Sequence, residues 1–411
     1  MSPVTLLTNI ALSAAGTSGQ TSTVGEPSVA KSGQNVFFTG NWYAARSADL
    51  GATWTHVDPF SVLPPVDGGF CCDQTVIHVP GKNIFVWLLQ YIKQNGSNTL
   101  RIAVRKASTL NNDVWAFWDL RPATANPAWT NQWFDFNHAA LSNNFLYVST
   151  NVYGATDDRW KRAVVFRLPL AVLANQGSLT FDVFSSTTNG TLRLTQGAKQ
   201  VMYFGSPNSA SQIRVFSWPE SSTAVASTDV NVSQWNDGAY VANCPDGRNW
   251  LGRCDDRMTA GWVSKGIVGF GWSANKLGTA RPQPYVRIVR LKETTKAVVN
   301  EPDIWHTDFA YAYPDTALNS SGTVGISLFR GGGPRFPGHV VGAWDSTANA
   351  WDLVGTRDST HTPNDGKWGD YVSCRRDSPD AGTWVAVGFT LQGGGVRSNI
   401  EPRLVRFTRR R

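Results

Sequence analysis

Aspartates recur along this chain beside residues able to complete acid–base chemistry: Asp73, Asn137 with His138, Asp255–Asp256–Arg257, Asp315, and Asp370 with Tyr371. Convergent carboxyls with a nearby cation suit cleavage of a glycosidic bond, in which one group donates a proton while another acts as base or nucleophile. A lyase-type elimination is the alternative, with His138 or Tyr371 as base and an arginine or Ca²⁺ neutralising a uronate. The candidate catalytic set is therefore Asp73, His138, Asp256, Asp370 and Tyr371. Arg257 and Arg330 can each grip a carboxylate through two N–H groups. Trp133, Trp250, Trp305 and Trp368 lie in long connecting segments, where a flat apolar face with one N–H donor suits stacking on a sugar ring. The same carboxylates suit Ca²⁺, a hard ion that takes oxygen ligands. No spacing defines metal ligands, and no other cofactor is implied.

Residues so far apart in sequence need a fold that gathers them. One pattern recurs: a short apolar strand, a small polar turn, and a second, more apolar strand. It begins at Pro27, Asp73, His138, Gly197, Met258, Asp315 and Asp370. Each hairpin is followed by one or two further strand candidates, bounded by Gly, Asn, Asp and Ser and lacking helical periodicity. Seven units of four strands give an all-β chain, a seven-bladed β-propeller spanning 1–411 as one domain, with six or eight blades as neighbouring alternatives. The last unit, ending "PRLVRFTRRR", is one strand short. The N-terminal "VTLLTNIAL" is expected to supply it and to lock first and last blades together. The aspartates and their polar neighbours then stand at the entrances of the innermost strands and converge on the central axis.

The stretch "SADLGATW" (47–54) fits a turn between third and fourth strands. Asp49 can accept bonds from backbone N–H groups of its own loop, Gly51 can supply a positive φ, and Trp54 can fold beneath. Its S-x-D-x-G-x-T-W pattern resembles the Asp box, or BNR repeat, of the sialidase-like β-propeller superfamily. "WDSTANAWDLV", with Asp345 and Trp351, is similar to a degenerate copy. The resemblance implies a structural Asp49 set away from the active face. It also implies an arginine triad, an Asp acid/base and a Tyr–Glu pair, but the first unit reads "PSVAKSGQN" where the family has Arg-Ile-Pro. No catalytic residue transfers by motif.

The chain's charge of +7 includes Arg409, Arg410 and Arg411 at its end. The remainder fits an acidic ligand without demanding one. With no Lys/Arg block along a helix, a nucleic-acid partner is not expected. No apolar run is long enough to cross a membrane as a helix. Cys244 and Cys254 bracket a loop that a disulfide can close, which would imply an oxidising compartment; free thiols are the other reading. A secreted or cell-surface location is expected, although "MSPVTLLTNIALSAAG" lacks the basic region of a signal peptide. The expected partner is carbohydrate, oligomeric or polymeric and acidic in one version. A non-catalytic lectin and a protein-interaction scaffold are the competing readings.

Overall fold

Runs such as Ile84–Tyr91 (IFVWLLQY) and Thr383–Leu391 (TWVAVGFTL) are apolar almost throughout, and every residue in them is buried. Continuous runs of this kind belong to strands covered on both faces. Outer strands read differently: five of the six residues of Ala226–Asn231 are exposed. The computed structural model describes residues 3–12 and 21–410, and in it these runs assemble into seven four-stranded antiparallel sheets.

The innermost strands are Ser28–Ser32, Phe70–Val79, Gln132–Leu141, Arg193–Leu194, Met258–Ser264, Ala310–Leu318 and Ser373–Arg376. Each packs on the innermost strand of the next sheet. A parallel bridge between Ser32 and Ser378 joins the seventh sheet to the first, so the ring is closed. The chain is a seven-bladed β-propeller. Aromatic residues fill the spaces between blades, as where Trp87 packs edge-on against Phe37 at 5.0 Å.

Closure uses the N-terminal segment. Val4–Ala11 pairs antiparallel with Ile400–Arg409, from Val4 opposite Arg409 to Ala11 opposite Arg403, and forms the outer edge of the seventh blade. Arg409 ties that blade to the sixth through Asp345 at 2.5 Å and Asp352 at 2.6 Å. Arg411 lies outside the described residues.

Asp49 organises its turn as the sequence suggests. It accepts from the Thr53 backbone N–H at 2.8 Å, the Thr53 hydroxyl at 2.6 Å and the Ser47 hydroxyl at 2.7 Å. These bonds hold its carboxyl down at about 2. Gly51 has φ +89°, and Trp54 packs edge-on to Phe38. In the second turn Asp345 accepts from the Thr347 N–H at 2.8 Å, and Trp351 packs against Trp344 and Trp262.

Of the two readings of the cysteines, the free thiols hold. Cys244 and Cys254 are free, and the disulfide joins the neighbours Cys71 and Cys72. Inside the loop that Cys244 and Cys254 bracket, Asn249 ties the chain back to the segment before it. Its side chain accepts from the Ala242 N–H and donates to the Tyr240 carbonyl, both at 2.9 Å. Cys254 turns away towards Ser273 and Tyr313.

Candidate functional site

All seven inner strands run away from the same face, so their entrances ring one mouth of the central channel. Four of these strands are irregular there, one by a short slip between Met258 and Ala260 and three by wider bulges. The wider breaks fall between Phe70 and Gln74, between Asp135 and His138, and between Ala312 and Asp315. Phe136 and Tyr313, inside two of these bulges, have φ near +60°. A bulge bends its strand and re-aims a side chain. Here the bulges deliver Asp73, Asp135 and Tyr313 to the mouth, and the Cys71–Cys72 bond braces the first.

Five carboxyls meet in this mouth. Glu26, 2% exposed, precedes the first blade and accepts from Asn41 Nδ2 at 2.7 Å and from the Asp370 backbone N–H at 3.1 Å. Asp73 shares a hydrogen bond with Glu26. Asp135 accepts from Gln90 Nε2 at 2.8 Å. Asp370 is gripped by Arg253 at 2.9 Å and approached by Arg257 at 3.3 Å. Asp255 takes the Arg257 Nε at 2.6 Å, and that guanidinium lies 4.2 Å over the Phe136 ring. Tyr371 stands edge-on to Phe136, its hydroxyl buried without a hydrogen-bond partner.

Crowding sets the protonation. Burial, with Asp135 and Asp370 nearby, lifts the Asp73 carboxyl to about 8. Burial, then Asp73 and Asp370, push Glu26 well above the usual carboxylate range. Asp135 is raised by burial, and the Tyr371 hydroxyl is pushed well up by burial and the surrounding carboxyls. Two like charges so close do not both ionise readily, so the Asp73–Glu26 pair keeps a proton at neutral pH.

The candidates from sequence divide accordingly. Asp73, Asp370, Tyr371 and Arg257 come together. Trp133 flanks them, tilted against Tyr153 at 5.3 Å, and Tyr153 feels the charges of Asp135 and Arg257. Asp256 turns into an adjoining cleft of about 400 Å³ lined also by Trp235, Asp237 and Arg257. Burial, Asp237 and Asp255 raise its carboxyl to about 6. His138 lies deeper, 7% exposed, accepting from the Leu194 N–H at 3.4 Å, and burial with Arg193 and Arg375 nearby holds it neutral. Asp315 leaves the mouth altogether. It pairs with Arg193 and with Arg375, the latter at 2.7 Å, and joins blades four, six and seven across the axis.

Arg330 sits apart, bonded to Asp358 at 3.2 Å. Trp305 is 42% exposed and stacks on Arg281 at 4.7 Å, also away from the carboxyls. Trp250 and Trp368 are wholly buried, perpendicular to each other at 6.0 Å, with Trp368 stacked on Phe389. Their rings have no free face for a sugar. Among the described residues, no three His, Cys, Asp or Glu side chains converge as metal ligands, so the Ca²⁺ expectation gains no support.

Glu26, Asp135 and Arg253 were not singled out from the sequence. Glu26 stands inside "VGEPS", where a lone acid before a proline reads as a turn. Asp135 in "WFDFNH" carried a usable signal: an acid between aromatics on an inner strand.

No family model and no curated protein matches the chain. Solved structures resemble it at low identity. The Dos1 propeller is 10% identical over 98% of this chain and 95% of that one, with a TM-score of 0.48. The α-L-arabinofuranosidase Arb93A from Fusarium graminearum, complexed with an iminosugar inhibitor, is 9% identical over 98% of each chain, TM-score 0.46. A Trypanosoma rangeli sialidase is 9% identical over 86% of this chain and 55% of that one, TM-score 0.44. Likeness at this level decides nothing about activity. The chemistry has to come from the side chains in the mouth.

Proposed function

We propose that the carboxylate mouth hydrolyses a glycosidic bond in a neutral oligo- or polysaccharide. The observation that carries this reading is Asp73, a half-buried carboxyl lifted to about 8 at the channel mouth and hydrogen-bonded to a second carboxyl. It holds a proton at neutral pH and can give it to a departing glycosidic oxygen, the role of the acid in a two-carboxylate hydrolase. Asp135, steadied on one side by Gln90, serves as base for water or as nucleophile. Its raised basicity suits proton abstraction. Asp370, fixed by Arg253 and Arg257, supplies negative charge to an oxocarbenium-like transition state. Trp133 with Tyr153 forms an aromatic wall.

Charge balance favours a neutral sugar over a uronate. Glu26, Asp73, Asp135, Asp255 and Asp370 surround two arginines already engaged by Asp255 and Asp370. A substrate carboxylate would meet repulsion and no free cation. His138, neutral and set below the mouth, is poorly placed as a lyase base.

The test is a panel of neutral glycans and aryl glycosides assayed for new reducing ends, with Asp73→Asn and Asp135→Asn in parallel. The expected outcome is turnover by the native chain and a loss of at least about 100-fold in kcat for each variant, the usual weight of a positioned acid or base. Full activity in Asp73→Asn, or unsaturated products in place of simple hydrolysis, overturns the reading. Glycan binding with no turnover leaves a lectin.

A further inference from the structure

The opposite mouth of the channel has a different character. There the turns between first and second strands surround a funnel of about 840 Å³, within the range of small-molecule sites. Its lining includes Lys31, Lys82, Lys199, Lys265, Arg375 and Arg376, and no Asp or Glu. Lys31 is neutralised by Asp377 and Asp380. Arg375 shares Asp315 with Arg193, so this buried group of two arginines and one carboxylate carries a net positive charge at the funnel floor.

The other four cations are free. Lys82, Lys199, Lys265 and Arg376 are exposed, come from blades two, four, five and seven, and have no ion-pair partner among the described residues. Of the acids near the rim, two are neutralised by cations and two keep their charge in hydrogen bonds to neutral donors. Asp377 and Asp380 are also held by Arg406. Glu220 is taken by Ser142 and Asn144, and Glu293 accepts from the Tyr203 hydroxyl. Like charges converging on a concave surface focus a positive potential into it.

We propose that this funnel binds one small ligand carrying clustered phosphate or sulfate groups, gripped by Lys82, Lys199, Lys265 and Arg376. Because each cation comes from a separate blade, a single anionic group reaches only one or two of them, whereas a ligand with several spans the ring. A volume of about 840 Å³ has no room for a nucleic-acid duplex, whose phosphates would meet the rim alone.

The test is calorimetric titration of the full chain with inorganic tripolyphosphate, with a trisulfated disaccharide and with a DNA duplex, at low and at moderate salt. Saturable one-to-one binding of either small polyanion is expected, weakening as salt rises. A preference between the two identifies the phosphate or sulfate source. Lys82→Ala, Lys199→Ala and Arg376→Ala should each weaken binding severalfold, and the triple variant should abolish it, with melting temperatures unchanged because all three residues are exposed. Asp73→Asn should bind as the native chain does. The proposal fails if neither small anion binds at millimolar concentration, if the variants bind normally, or if duplex DNA binds in preference.

Discussion

Asp73 carries a stability cost that its chemistry explains. Its folded-state value of about 8 lies above the ordinary 3.8, so the folded chain holds this proton more tightly than the unfolded chain does. Stability conferred by that proton is fully present below about pH 4 and is lost as pH rises towards 8. Asp73→Asn removes the burden by replacing an acid forced to ionise with a neutral amide. The expected result is a variant that melts a few degrees higher than the native chain at pH 8, equal to it near pH 4, and inactive throughout. Active sites commonly trade stability for function in this way. Native turnover should fall above about pH 8, where the Asp73–Glu26 pair loses its proton, and below the raised value of Asp135. Because the two carboxyls share a proton, the upper limb belongs to the pair. Calorimetry across pH with a pH–rate profile checks both. A variant no more stable at pH 8 than the native chain would show that Asp73 is not strained.

At the scale of the element, the turns decide more than the strands. Gly51 combines φ +89° with a crowded site, where an added Cβ would lie 2.9 Å from Ile10, Leu404 and Trp54. Gly33 also has a positive φ, +59°, but nothing lies within 4 Å. Gly51→Ala should therefore cost about 1–3 kcal/mol for the backbone plus a packing term, and Gly33→Ala the backbone part alone. Denaturant midpoints compare the two. Glycan turnover should survive both changes, because these turns lie on the face opposite the carboxyls. Equal losses would mean that the cramped contacts relax freely. Such turns were legible in the sequence because their signals are local: Ser47, Asp49, Gly51, Thr53 and Trp54 make their bonds within eight residues. The hairpin repeat was legible for the same reason, since short apolar runs and the turn residues between them are short-range patterns. The bulges were not. Extra residues interrupt the pattern, two in blade two and one in blade three, so the inner strands there begin at Phe70 and Gln132, ahead of the expected Asp73 and His138. The site was half visible. Asp73, Asp370, Tyr371 and Arg257 stand at strand entrances, but Glu26 and Arg253 become site residues only through partners 344 and 117 positions away. Two of the tryptophans misled because a long loop must bury something to hold its shape, and Trp250 and Trp368 fill that place.

At the scale of the molecule, the ring depends on one non-local pairing. Every other blade is built from consecutive strands, whereas the seventh borrows Val4–Ala11 from the far end of the chain. That strand covers the edge of Ile400–Arg409, which would otherwise present unpaired N–H and C=O groups to other molecules. It also buries Val4 and lets Ile10 pack between the seventh and first blades. A chain beginning at residue 12 loses the ladder and this apolar cover, at about 1.5–3 kcal/mol for each fully buried side chain, and it loses the tether that joins the two ends of the ring. The seventh and first blades are then free to part. Since Glu26 precedes the first blade while Asp370 precedes the seventh, their 3.1 Å contact is the part of the site most exposed to that opening. The truncated chain should therefore unfold at lower temperature with a broadened transition, self-associate in light scattering, and lose glycan turnover before secondary structure is lost. A truncated chain that melts with the native midpoint as a monomer would show that the inner-strand contacts alone close the ring.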